Sequence, residues 1–236
     1  MDDMGDSIKA KNAGWTFGGE TAKNFDVHVE KSVPFYHQGH DLISKISDYF
    51  LNKESVCYEL GCSTGTLIAK LAQRHRDKNV RIIGVDSEEE MISCAQEKCG
   101  DAVNVTLVNS DIIDMKFEKS DLIIAYYTIQ FIKPKDRQII FDRIYESLNW
   151  GGGFLLFEKV RAPDARFQDM MTGIYTDYKL DQGYNEEEII GKLRSLKGVL
   201  EPFSVKGNHD LLTRAGFIDY MTIMKYVCFQ GFLAIK

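Results

Sequence analysis

From residue 55 onward, short runs of β-branched and aromatic residues alternate with stretches of helical period. That alternation admits few folds besides a mostly parallel sheet covered by helices on both faces. Strands are expected at 55–60, 80–85, 104–108, 120–126 and 153–158, with helices at 66–75, 88–98 and 134–148 between them. In the last of these, Ile139, Ile140, Ile144 and Leu148 share a face while Lys135, Gln138 and Asp142 turn away, as in a surface helix laid on a sheet. A helix at 210–215, a stop at Gly216 and two runs at 218–226 and 229–235 close the chain as an antiparallel hairpin.

Two regions depart from the alternation. Residues 1–54 contain a helix at 20–31, a break at Ser32-Val33-Pro34 and an amphipathic helix at 41–51, and are expected to form a helical cap over the site. Residues 161–207 are polar and mostly helical, with Met170, Met171, Tyr175, Tyr178 and Tyr184, and are expected to form a lid that sets acceptor specificity. At 236 residues the chain suits one α/β domain with these additions. A net charge of −6 opposes binding to polyphosphate surfaces, so nucleic acid is an unfavoured partner. No apolar run approaches the roughly 18 residues of a membrane span, and MDDMGDSIKAKN lacks the apolar core of a signal peptide, so a cytoplasmic protein is expected. Five cysteines without C-x-x-C spacing and five scattered histidines indicate neither a disulfide framework nor a metal site.

The first strand runs directly into Gly61-Cys62-Ser63-Thr64-Gly65, after which a helix begins. Glycines at such a turn let the backbone approach a ligand, and the N–H groups of a helix start offer hydrogen bonds. The second strand ends in Asp86-Ser87, where a carboxylate can accept from both hydroxyls of a ribose. The third leads into Asp111-Ile112, beside the expected adenine pocket, and the fourth ends at Tyr126. The dinucleotide fingerprint G-x-G-x-x-G is not matched, because Ser63 stands two positions after Gly61. Glu59, two positions before Gly61, would repel a pyrophosphate but suits the α-ammonium of S-adenosylmethionine (SAM). SAM is therefore the expected cofactor, in a Rossmann-like sheet of the class I methyltransferase type.

The chain resembles the carboxy-S-adenosylmethionine synthases, class I SAM enzymes that convert SAM to carboxy-SAM with prephenate. The likeness runs through Gly14-Trp15-Thr16-Phe17, Lys31-Ser32-Val33-Pro34-Phe35-Tyr36, Glu59-Leu60-Gly61-Cys62-Ser63, Thr128-Ile129-Gln130-Phe131, Gly183-Tyr184 and Arg194-Ser195. The resemblance implies cofactor contacts from Tyr36, Gly61, Cys62, Ser63, Asp86, Ser87, Asp111 and Ile112, a carboxylate-pairing role for Arg194, and a homodimer. Two departures mark a diverged paralogue. Tyr126 stands where the family has Asn, and the family's Phe-Pro-Asp-Met pattern reads Asn24-Phe25-Asp26-Val27-His28.

The catalytic candidates are Tyr126, Arg194 and His37. Tyr126 offers an aromatic face to a sulfonium, and Tyr175 and Tyr178 either extend that wall or pack the lid. Arg194 either recognises a carboxylate or is solvated beside Lys192 and Lys197. His37 is a base, an acceptor-positioning group or an ordinary loop histidine. Glu158 either faces the cleft as a base or pairs with Lys159 or Arg161. The leading expectation is metal-independent methyl transfer from SAM to a small polar acceptor. Carboxy-SAM synthesis, internal alkylation releasing methylthioadenosine, and a SAM-binding regulator are the alternatives. Asp86→Ala is expected to weaken SAM binding, which calorimetric titration measures directly.

Overall fold

The computed structural model describes residues 2–236; Met1, first residue of the expected cap, lies outside them. A small hairpin of β1 (Asp2–Asp3) and β2 (Lys9–Ala10) precedes helices α1 (Glu20–Ser32) and α2 (Tyr36–Ser47). The chain then enters a seven-stranded sheet formed by β3 (Val56–Leu60), β4 (Arg81–Asp86), β5 (Val105–Asn109), β6 (Ser120–Tyr126), β7 (Leu148–Lys159), β8 (Asp219–Tyr226) and β9 (Phe229–Ile235). The spatial order is β5-β4-β3-β6-β7-β9-β8; β3 to β7 are parallel, and β9 runs antiparallel to both neighbours. The expected Rossmann-like methyltransferase sheet with its closing hairpin is the fold observed.

A parallel sheet covered on both faces needs apolar residues at odd and even positions alike. Along β6, Ile123 and Ala125 enter one core with Ile140, Phe141 and Ile144 of α5 (Pro134–Ser147) and Leu211 and Leu212 of α8 (Val205–Ala215). Leu122, Ile124 and Tyr126 enter the other, with Leu67, Ile68 and Leu71 of α3 (Thr66–Arg74), Ile92 of α4 (Glu89–Cys99) and Ile43 of α2. Ile139, expected on the buried face of α5, is exposed because Ile140 and Ile144 already define that face.

Three elements differ from the sequence expectation in extent. α2 starts five residues before 41, because Phe35 in the left-handed region (φ 58°) turns the chain just after Pro34. Gly39 then lies inside the helix against Tyr126, where a Cβ would overlap the tyrosine hydroxyl. β7 starts at Leu148, paired with Ser120, and passes through Asn149-Trp150-Gly151-Gly152 with a register shift before regular pairing resumes. α8 starts at Val205 because the Ser204 hydroxyl caps it, accepting from the Gly207 N–H at 3.1 Å.

The expected lid residues form α6 (Ala165–Asp181), capped by Asp164, and α7 (Glu186–Ser195), opened by a reciprocal capping box of Asn185 and Glu188. This excursion leaves and rejoins the fold at one point, where Arg161 and Ser204 form a parallel bridge. No helix among the described residues is long and apolar enough to cross a membrane.

Tyr126 fastens the N-terminal helices to the sheet: its hydroxyl donates to the Tyr36 carbonyl at 2.6 Å, and its ring lies 4.7 Å from that of His40. Gly39→Ala is expected to lower stability by roughly 1–3 kcal/mol through overpacking at this contact. Gly173→Ala, at a helical position with open space around it, should instead raise stability by roughly 0.5–1 kcal/mol. Thermal unfolding of the two variants distinguishes the signs.

Candidate functional site

A cavity of about 750 Å³ lies over the C-terminal ends of β3, β4, β6 and β7 and is roofed by α1, α2, α6 and α7. Counting in twos along the strands explains what faces it. Glu59, Tyr126 and Lys159 continue the side of the sheet that holds Cys57, Ile124 and Phe157, so all three turn towards the cap. Glu158 falls on the opposite side. Its Oε1 accepts from the Gln130 N–H at 3.3 Å; burial pushes its carboxyl up to about 8, partly opposed by the Arg137 charge. It is neither a cleft base nor the partner of Lys159 or Arg161.

At the β3–β4 end, Gly61 (φ 73°) sits so close to Thr128 that a Cβ would overlap the threonine side chain. The adjoining loop is tied to β4 by Asp86, whose Oδ2 accepts from the Ser63 N–H at 2.8 Å while Oδ1 accepts from the Glu88 N–H at 3.0 Å. A carboxylate oxygen can accept more than once, so both retain capacity for ligand hydroxyls. Glu59 is 3% exposed, and its Oε2 has no hydrogen-bond partner. Burial, and then the Asp86 charge, hold the Glu59 carboxyl well above its usual range. A buried carboxyl with one unpartnered oxygen lining a cavity calls for a cation or donor, and the α-ammonium of SAM would meet that requirement. Asp111 lies beside this end, its Oδ1 accepting from the Ile113 N–H at 2.9 Å.

Tyr36, Glu59, Gly61, Cys62, Ser63, Asp86, Ser87, Asp111, Ile112 and Tyr126 all line the cavity; Gly65, His37 and Arg194 do not. Gly65 (φ 77°) instead permits α3 and α4 to approach, since a Cβ there would lie 2.8 Å from that of Ala95. His37 faces outward and pairs with Glu30 at 2.7 Å. On α7 the cavity is met by Ile189, Lys192 and Leu193, and just beyond it by Leu196 and Leu200. Arg194 is exposed: it lies two residues beyond Lys192, about 200° round the helix. The Tyr126 hydroxyl is occupied by the Tyr36 carbonyl, so this residue presents its ring to the cavity.

The opposite end carries residues that strand-end reasoning missed. Lys159 from β7, Lys179 from α6 and Lys192 from α7 line the cavity, and none has a carboxylate within ion-pairing distance among the described residues. The Lys159 and Lys179 amines rest on the Tyr175 ring, 4.2 and 4.8 Å from its centroid. Burial, with the Lys159 charge second, lowers Lys179 to about 8; burial, then Lys179 and Lys159, hold Lys192 well below the usual range. Tyr127, at the tip of β6, lies in the left-handed region (φ 59°) with its buried hydroxyl unpartnered. Only the alternation along β7 signalled any of these residues, through Lys159; α6 and α7 lie outside the repeating pattern.

Placing the SAM α-ammonium beside Glu59, whose carboxyl is held above its usual range by burial and then by the Asp86 charge, predicts that binding is sensitive to pH. An ammonium there favours the ionised carboxylate, so any proton that Glu59 carries is released on binding. Affinity for SAM should therefore rise with pH until Glu59 is ionised before binding. Glu59→Gln should abolish the proton release, read from calorimetry in buffers of different ionisation enthalpy. It should also weaken binding by roughly tenfold to a hundredfold, as expected for losing one charged hydrogen bond.

A family described as the methyltransferase domain matches residues 58–152. The carboxy-S-adenosyl-L-methionine synthase of Staphylococcus epidermidis is 37% identical over 223 residues, covering 94% of this chain and 97% of that protein. The enzyme of the same name from Campylobacter fetus is 38% identical, with 90% of each chain covered. Among solved structures, magnesium protoporphyrin IX methyltransferase from Synechocystis, with bound SAH, superposes with a TM-score of 0.59 at 17% identity, covering 88% of this chain and 86% of that one. A putative O-methyltransferase from Nostoc punctiforme gives 0.64 at 15% identity, covering 92% of this chain, which spans 59% of that longer protein. These structural likenesses establish the fold. With the cradle at Gly61, the acceptors at Asp86 and Glu59 and near full-length similarity to curated enzymes, the chain is a SAM-dependent enzyme with a methyltransferase fold and belongs to the carboxy-S-adenosyl-L-methionine synthase family.

Proposed function

We propose that this enzyme makes carboxy-SAM from SAM and a small carboxylate donor, which the family resemblance implies is prephenate. The donor loses CO2 as its C–C bonding electrons expel the ring hydroxyl as hydroxide. The hydroxide takes one proton of the sulfonium methyl group to give water, and the methyl carbon bonds to the CO2, leaving phenylpyruvate. The observation that carries the proposal is the division of charge within one cavity. Glu59, Asp86 and Asp111 lie at the β3–β5 end, and Lys159, Lys179 and Lys192 at the β7 end. β4 and β7 are three strands apart, about 14 Å at the usual spacing. The acidic end suits the ammonium, sulfonium and ribose of SAM, whereas unpaired ammoniums suit a donor bearing carboxylates. A neutral polar acceptor for methyl transfer would offer those three amines no carboxylate counterpart.

SAM supplies an activated methyl carbon beside a sulfonium. The role of Gly61, Cys62, Ser63, Asp86, Ser87, Asp111 and Ile112 is to hold the nucleoside, and that of Glu59 is to receive the α-ammonium. Tyr36 and Tyr126, with rings 5.1 Å apart, form an aromatic wall against positive charge, and burial raises both hydroxyls so that they remain neutral. Lys159 and Lys179 bind donor carboxylates over the Tyr175 ring. Arg194 lies outside the cavity of its own chain, so within one subunit carboxylate binding falls to the lysines. A homodimer belongs to the same proposal on the resemblance alone.

Purified protein incubated with SAM and prephenate should yield carboxy-SAM by mass spectrometry. S-adenosylhomocysteine formed with an acceptor, methylthioadenosine, or bound but unchanged SAM would each overturn this reading in favour of methyl transfer, internal alkylation or a regulator. Because Lys179 titrates at about 8, the KM for donor should climb as the pH rises past that value and the ammonium is lost. Lys179→Met should raise the KM at neutral pH and flatten its pH profile, leaving the Kd for SAM unchanged.

A further inference from the structure

Lys192 is held differently from the other two lysines of the cavity. Its amine donates to Ser32 Oγ at 2.7 Å and to Nε2 of the buried His28. For Nε2 to accept, the neutral ring must carry its proton on Nδ1, and that nitrogen lies 3.0 Å from Asp6 Oδ2. Asp6 also receives the Tyr184 hydroxyl at 2.6 Å and the Lys31 amine at 2.5 Å. Burial pushes the Asp6 carboxyl up, but the bonds from Lys31, Tyr184 and His28 together bring it below its usual range. Burial, reinforced by the Lys192 charge, drops His28 to about 3, so the ring is neutral at physiological pH.

The N-terminal segment completes this arrangement. Met4, Ile8, Ala10 and Trp15 form a small core of their own, against which Leu196 and Val199 pack. The Ala13 and Trp15 N–H groups donate to the carbonyls of Arg194 and Ser195 at the end of α7, at 2.9 and 3.2 Å. Trp15 stacks on His28, 5.4 Å between centroids, and lies 5.2 Å from the Lys192 amine. The outcome is an amine oriented by a carboxylate that never touches it. A direct ion pair would occupy the Lys192 amine with a carboxylate of the protein, whereas a neutral imidazole between the two aims the amine and leaves it free to take its charge opposite a ligand anion. Two of its three donors are taken by the protein, and one is left over.

We infer that Asp6, through the His28 ring, positions the Lys192 amine at the lysine-rich end of the cavity, so that the N-terminal segment completes the binding site for the carboxylate donor. The inference rests on the carboxylate-donor reading above and adds a positioning role for two residues outside the expected site. His28 stands in the segment where the sequence departs from the family pattern, and the role belongs to this chain's own residues. The charged and titratable groups around Lys192 are Lys179 on α6, Lys159 on β7, His28 and Lys31 on α1, Asp6 in the N-terminal segment, and Tyr184. An anion among the three lysines favours their protonated forms, so donor binding takes up protons.

The test uses full-length enzyme loaded with unreactive S-adenosylhomocysteine and titrated with prephenate by calorimetry, alongside steady-state kinetics with SAM. His28→Leu should raise the Kd and KM for prephenate about tenfold or more, the cost of a lost charged hydrogen bond. It should also reduce proton uptake on prephenate binding and leave the Kd for SAM within about twofold, since no contact of the relay reaches the acidic end. His28→Gln, whose amide can donate to Asp6 and accept from Lys192, should recover most of the loss. Unchanged prephenate affinity in His28→Leu overturns the inference, as does a parallel loss of SAM affinity, which marks a general structural role. If wild type binds prephenate but makes no carboxy-SAM, the proposed reaction fails while the His28→Leu to wild-type Kd ratio still decides the positioning role. A wild type that binds no prephenate overturns both.

Discussion

After β3 the chain adds β4 and β5 on one side, then crosses back to place β6 on the other, and the crevice left between β3 and β6 is where the loops can part. Several residues lining the cavity therefore stand on strand tips held at fixed spacing by backbone hydrogen bonds. Asp86, Glu59, Tyr126 and Lys159 stand in that order on β4, β3, β6 and β7. The close approach of Gly61 to Thr128 and the grip of Asp86 on the Ser63 N–H make the two sides of the crevice one unit. A change in either loop alters the other.

Within this frame, charge is separated along the sheet. At one end the Asp86 carboxylate is held by backbone N–H donors, while burial and the neighbouring Asp86 charge favour the protonated form of Glu59. At the other end, aromatic rings stand in for counter-ions: Tyr175 serves both Lys159 and Lys179, and Trp15 faces Lys192. A ring quadrupole offsets only part of the desolvation of an ammonium, ~0.5–2 kcal/mol each. The remaining electrostatic demand is what an anion, such as the proposed carboxylate donor, would meet.

Much of the acidic end was legible because it follows from periodicity. Strand tips in a parallel α/β sheet converge, and Glu59, Asp86 and Asp111 are acids at or just beyond such tips. Alternation also separates Glu158 from Lys159, although neighbouring acid and base looked like a pair. Arg194 was not legible in the same way: it lies in a helix joined to the sheet by irregular chain, and a shift of two residues there rotates a side chain to the far face. Lys179, Lys192 and His28 meet only in three dimensions, through elements 164 residues apart in the case of His28 and Lys192. The early start of α2 follows from the left-handed Phe35 that turns the chain just after Pro34, a backbone state that the residue types there do not reveal.

The bridge between Arg161 and Ser204 has a bearing on how such a site can diverge. Both feet of the excursion stand on the same spot of an already folded platform, so the ends meet whatever lies between them. Changing the length of the intervening chain then carries only a logarithmic penalty, about 0.6 kcal/mol per doubling. The tract that contributes Tyr175, Lys179 and Lys192 is thus the portion of the molecule freest to be rewritten, leaving the nucleoside grip untouched while a new co-reactant is accommodated.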